Sequence, residues 1–184
     1  MESFGQRLTE AATAHALTRP PDFVEPFVAW RVWRVVERDG ELSLASVVKR
    51  TVWPAGQPLV AECLKSRPFL DVRRRPPHGA PTERCECGIY AATLERAEEY
   101  LNDSYPEALA RVLGRVALWG SVVQCERGFR ASHAYPLALY VSTRATRNPR
   151  RTPDEIAAGL ARYGVTVERL PADPDAELFS AGGV

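Results

Sequence analysis

From Phe27 to Arg50 two β-rich, largely apolar runs flank Asp39-Gly40. In a strand successive side chains point to opposite faces, a period of two. Asp-Gly suits a type I′ turn, which needs positive φ at both central residues. "FVAWRVWRVVERDGELSLASVVKR" therefore predicts a hairpin. Pairing outward from the turn sets Trp33 opposite Ser46 and Val32 opposite Val47. Trp30 and Val32 share one face; Arg31 and Trp33 share the other.

A second, longer hairpin is predicted in "GRVALWGSVVQCERGFRASHAYPLALYV", with Arg127-Gly128 as a two-residue turn. That register sets Tyr135 over Gly120, an aromatic ring shielding a bare glycine, and His133 opposite Val122. One face then carries Val116, Leu118, Val122, Ala131, Tyr135 and Leu137 as core. The other carries Trp119, Val123, Cys125, Arg130 and Ser132. Shorter strands are expected in "LVAECL", "CGIYAA" and, as an edge, "VTVERL".

Three stretches switch to helical spacing. Residues 3–17 repeat Phe4, Leu8, Ala11, Ala12 and His15 after a Ser3/Gln6 capping box. "TLERAEEYL" puts Leu94, Ala97 and Leu101 on one face, with Thr93 as the expected N-cap. "SYPEAL" predicts a further helical turn. In "RTPDEIAAGLARYGV" Thr152 caps, Pro153 takes the first helical position and Glu155 completes a capping box. Ile156, Leu160 and Tyr163 form its apolar stripe, and Gly164 supplies the left-handed stop. Prolines and arginines crowd residues 65–84, which predicts irregular backbone there.

The expected fold is α+β and strand-dominated: an antiparallel twisted sheet, or a partly closed β-barrel, of about six to seven strands with two to three flanking helices. Residues 1–22 form an N-terminal helix and strap, 23–170 one β-rich domain, and 171–184 a loose C-terminal tail. At 184 residues and 45% hydrophobic composition the chain has the size and apolar content for a core.

The net charge of +1 excludes a molecule-wide basic field, so any nucleic-acid footprint is local. Lys49 and Lys65 are the only lysines, leaving arginine to supply 22 of 24 cations. Together with the abundant alanine and proline, this reads as the bias of a GC-rich bacterial genome. No run approaches 18 apolar residues, so no membrane span is expected. The opening residues have no charged segment followed by an apolar run, which predicts a cytoplasmic protein without a signal peptide.

Cysteines in a reducing compartment point to metal ligands or free thiols rather than disulfides. Cys63, His78, Cys85 and Cys87 form a ligand set for structural zinc, which takes four N/S ligands in a tetrahedron. In a flat strand the side chains of Cys85 and Cys87 would stand nearly 7 Å apart, whereas sulfurs on one zinc approach within about 4 Å. The backbone must therefore bend, and Gly88 permits a bend. A metal here would staple the 65–84 loop. The competing readings are a redox pair and ordinary thiols. Cys125 is an alternative ligand at a hairpin tip, or a small apolar residue. Gly88-Ile89-Tyr90 repeats three letters of the GIY-YIG nuclease signature, but no "YIG" follows at short distance.

A catalytic zinc needs an open position and a general base; Glu83 and Glu86 are adjacent, but the deaminase pattern is absent. Cys125 or Cys63 with His133 is a nucleophile–base pair by residue type, though Cys125 and His133 fall on opposite faces of the hairpin. Trp33 and Trp119, on the faces of Arg31 and Arg130, suit stacking on a flat ligand. The runs Arg73–Arg75 and Arg144, Arg147, Arg150, Arg151 suit a phosphate-contacting rim. The functional expectation is a zinc-stapled binding module with RNA or single-stranded DNA as first candidate partner. The alternatives are a zinc- or Cys/His-dependent enzyme and a protein-interaction subunit.

Overall fold

A computed structural model describes residues 25–49, 51–63, 78–101, 108–142 and 151–170. The expected helix at 3–17, the Arg73–Arg75 run, the helical turn around 104–107, the arginines at 144–150 and the 171–184 tail lie outside the described residues. The elements are β1 (Phe27–Arg38), β2 (Glu41–Ser46), β3 (Leu59–Val60), β4 (Ile89–Ala91), α1 (Leu94–Glu98), β5 (Ala110–Cys125), β6 (Gly128–Ser142), α2 (Pro153–Leu160) with a 3-10 turn over Ala161–Tyr163, and β7 (Thr166–Leu170). Neither described helix is long and apolar enough to cross a membrane.

Seven strands form one sheet in the order β2-β1-β5-β6, with β3, β4 and β7 all paired to the remaining edge of β6. The sheet is strand-dominated and twisted as expected, but it is mixed and stays open. β7 runs parallel to β6, because the connection between them passes through α2, and such crossovers join parallel strands. The barrel alternative is not what forms. A single isolated bridge, Trp30 to Ala92, ties the end of the β4 segment to the edge of β1.

The first hairpin forms as its turn dictates. Asp39 and Gly40 both have positive φ, at 52° and 77°, and Trp33 pairs with Ser46. The odd positions of β1, including Trp33 and Val35, enter the main core with Leu44, Trp53, Val116, Leu139, Ile156 and Leu160. The even positions, Trp30 and Val32, pack with Leu113, Val47 and the Ala97 face of α1. Both sheet faces are thus covered, which is why β1 reads as nearly continuous hydrophobic sequence.

The second hairpin departs from its predicted register. Cys125 pairs with Gly128, so the turn is Glu126-Arg127 and not Arg127-Gly128. Gly128 is needed for a different reason: any Cβ there would strike the backbone of Ala91 and Ala92. Two bulges then change which face each residue meets. Gly120 and Ser121 together oppose Ser132, and Leu137 is an extra residue between the Arg115–Ala138 and Val116–Pro136 pairs. His133 consequently lies opposite Trp119, not Val122, and Tyr135 opposite Ala117, not Gly120. Val122 and Leu137, expected in the core, are 38% and 41% exposed, while Leu139 and Val141 are fully buried. A one-residue slip exchanges the two faces of a strand, and each bulge imposes one.

Hydrogen bonds from small side chains hold the first bulge. The Ser132 hydroxyl donates to Trp119 O (3.2 Å) and accepts from Ser121 N (3.0 Å). Gly120, at φ 74°, sits where a Cβ would collide with that hydroxyl.

The C-terminal helix obeys its caps. Thr152 accepts from Glu155 N, and the Glu155 carboxylate accepts from Thr152 N. At Thr93 the capping position is as expected, but the side chain makes no cap hydrogen bond. Tyr163 cross-links the end of α2 to β2: its hydroxyl accepts from Leu44 N and donates to Trp53 O, both at 2.8 Å. Tyr135 O–H in turn donates to Tyr163 O.

Two outcomes test these contacts. Tyr163→Phe leaves two backbone groups without their partner, which should cost about 2 kcal/mol and lower Tm by about 4–8 °C, measured by thermal unfolding. Gly120→Ala forces positive φ on a residue with a Cβ and should cost about 2 kcal/mol, read from urea denaturation.

Candidate metal centre

The four predicted ligands come together. Cys63 lies just beyond β3, in a segment that continues along β6 through the Ala61 N to Ser132 O bond. His78, Cys85 and Cys87 precede β4. Their ligand atoms all lie within 4.8 Å of one another. Cys63 Sγ is 3.7 Å from Cys85 Sγ, and Cys87 Sγ is 3.5 Å from His78 Nε2.

These two lengths have a physical meaning. With zinc–sulfur bonds near 2.3 Å and zinc–nitrogen near 2.05 Å, a tetrahedron has sulfur–sulfur edges of about 3.8 Å and sulfur–nitrogen edges of about 3.6 Å. Two edges of the ligand set already have that size. The three cysteines are between 5% and 8% exposed, and they form a small cluster with Ala80. His78 is half-buried. All four cysteines of the chain are free thiols.

The bend that the Cys-x-Cys pair requires is built from three features. Cys85 N donates to Thr82 O (3.3 Å), closing a turn. Neither cysteine belongs to a strand, so the 7 Å spacing of a flat ladder does not apply. Gly88 then has φ 121° and passes close to β6; a Cβ there would meet Pro81 Cβ at 3.0 Å and Arg130 Cβ at 3.1 Å.

Burial pushes the Cys87 thiol up, and the neighbouring Cys85 and Cys63 sulfurs add to that, against one backbone hydrogen bond from Thr82. Three thiols enclosed together resist becoming three thiolates. A cation between them reverses the balance, because a coordinating thiol is deprotonated outright.

Arg130 supports the same loop from β6. It is 6% exposed. Its Nη1 donates to the carbonyl oxygens of Cys85, Cys87 (3.0 Å) and Thr82 (3.3 Å). The guanidinium also lies over the Tyr90 ring. On the other side of β4, Arg31 donates to Tyr90 O and to the Ser46 hydroxyl, and sits 5.0 Å above the Trp53 ring. Burial lowers its pKa to about 10.

The aromatic and arginine ligand face does not assemble. Trp33 is fully buried and meets Trp53 edge-on at 5.3 Å. Trp119 is 7% exposed and stacks on His133. Arg31 and Arg130 direct their donors at main-chain carbonyls and Ser46. Arg31 and Trp33 share a face of β1, but it points inward, against β4 and the core. The bonds from Arg130 to the 82–87 loop were invisible in the sequence, because nothing local links residue 130 to residues 82–87.

The pairing of Cys125 with His133 finds no support in the geometry. Cys125 stands at the tip of the β5–β6 hairpin, outside the cluster. His133 pairs six residues further along the ladder, about 20 Å away at strand spacing, and its Nδ1 is engaged with the Ser132 hydroxyl at 2.9 Å. Gly88-Ile89-Tyr90 is ordinary strand entry: Tyr90 donates from its hydroxyl to Glu86 O. Compared with known proteins, the chain matches no family model, no curated protein and no solved structure.

Proposed function

We propose that this protein is a binding module whose fold is stapled by one structural zinc ion, held by Cys63, His78, Cys85 and Cys87. The observation that carries the reading is the pair of ligand separations, 3.7 Å and 3.5 Å, which match the edges of a zinc tetrahedron. The chemistry of the donors supports zinc: three thiolates and one imidazole suit a soft-tolerant, four-coordinate divalent ion.

A structural role is favoured over a catalytic one. Four protein ligands fill a tetrahedron and leave no position for water, which catalytic zinc retains. Glu83 and Glu86 flank the cysteines in sequence, but both are exposed rather than enclosed with them.

Nucleic acid stays the first partner class on the strength of the arginine runs alone. Of those residues only Arg151 is described, and it pairs with Glu37 at 3.1 Å. That expectation requires RNA or single-stranded DNA to be retained on a filter with affinity falling as salt rises. No retention at low salt removes it.

The metal reading has its own measurements. Untagged protein should carry one zinc per chain by mass spectrometry. Chelation should lower Tm by about 10 °C or more, at roughly 2–4 °C per kcal/mol for a chain of this size. Cys85→Ser should remove the zinc, whereas Cys125→Ser should leave both the metal and Tm unchanged. Metal-free protein with freely reactive Cys85 and Cys87 would overturn the reading.

A further inference from the structure

We propose that Arg130 is the counter-charge of the metal centre and a positioning residue for it, and that this charge matches the centre to a divalent ion. The inference rests on the metal reading above and concerns what surrounds the four ligands.

Three thiolates, a neutral imidazole and a divalent ion sum to one negative charge. The three cysteines that would carry it are at most 8% exposed. A buried net charge is costly unless an opposite charge shares its enclosure. Arg130 meets the converse problem. It carries a guanidinium, is 6% exposed, and meets no carboxylate among the described residues. Arg31, the comparable cation on the far side of β4, lies against the indole face of Trp53.

The position of Arg130 is specific. It pairs with Tyr90 in the β4–β6 ladder, and its Nη1 reaches the carbonyls of both ligands of the Cys-x-Cys pair and of Thr82. The cation is therefore bonded to the main-chain carbonyls of two of the three cysteines. The bonds also fix the peptides that aim those sulfurs, as outer-shell partners do at metal sites. With a monovalent ion in the same ligands the enclosure would keep one negative charge, and with a trivalent ion one positive charge. With a divalent ion the centre and Arg130 cancel.

The test compares Arg130→Gln, which removes the charge but keeps donors, with Arg130→Lys, which keeps the charge but loses the planar fork. Zinc affinity is measured by competition with a chromogenic chelator, and cobalt(II) substitution reports the thiolate-to-metal charge-transfer band. We expect R130Q to bind zinc about tenfold or more weakly with a shifted cobalt band, the usual range for a lost outer-shell partner. R130K should stay within a few-fold of the parent with an unshifted band. Parent-like affinity in R130Q overturns the proposal, and so does R130K as weak as R130Q, which would make Arg130 a clamp without an electrostatic role. Should R130Q not fold, R130K decides by itself: retained affinity supports the charge, and a tenfold loss overturns it. Parent protein that binds neither zinc nor cobalt overturns the metal reading itself, a result distinct from zinc binding that is indifferent to Arg130.

Discussion

The outer edge of β6 is the constraint on which the rest of the structure depends. One long strand, paired along its inner edge to β5, offers its other edge to β4 at residues 129–131, to β3 at 133–134 and to β7 at 138–142. β7 has five residues and a helix to hold it. β3 has two residues and β4 three, at or below the short end of the usual range for strands. The proposed metal centre joins the segment just beyond β3 to the loop just before β4, so the two weakest additions to the edge are tied to each other. Arg130 and Arg31 then tie β4 to β6 and β1. Side-chain chemistry here does what a longer ladder does elsewhere.

Much of this was legible in the sequence, and the failures have identifiable causes. Asp39-Gly40 fixed the first hairpin to the residue, because a type I′ turn leaves no freedom of register. Thr152, Pro153 and Glu155 fixed the start of α2 for the same kind of reason. The second hairpin misled because its glycines serve packing. Gly128 clears space for Ala91 and Ala92, and Gly120 carries a bulge. Read as turn and shielded gap, they produced a regular ladder where the chain inserts two irregularities. Val122 and Leu137, each beside or within an irregularity, turn outward instead of into the core, while Val116, Leu118 and Ala131 stay inside.

The ligand set was legible for a different reason: buried cysteines with one histidine, near a glycine able to bend the chain, constrain the chemistry regardless of register. What supports the set was not. An arginine alternating with tryptophan in a strand looks the same whether it faces a ligand or a neighbouring carbonyl. In this chain 22 of the 24 cations are arginine, so arginine also takes interior work. Arg34, Arg111 and Arg130 are all at most 6% exposed, and Arg34 gives its Nε to Ser46 O. A guanidinium is more weakly hydrated than an ammonium and spreads several donors in a plane. It can therefore be enclosed against carbonyls where lysine would leave a point charge poorly matched.

The proposed metal staple would also account for how a 22-residue separation between Cys63 and Cys85 is tolerated. A cross-link closing a loop of that length removes unfolded-state freedom worth about 3 kcal/mol, whereas the backbone pairing of a two-residue and a three-residue strand offers only a handful of hydrogen bonds at about 1 kcal/mol each. The staple is thus comparable to the whole ladder contribution of the strands it joins. Without it, β3 and β4 would be held chiefly by Arg31, Arg130 and the burial of Ile89 and Ala91. Loss of metal should therefore loosen the outer edge of β6 before it disturbs the β1–β2 hairpin, whose register and core contacts involve none of the four ligands.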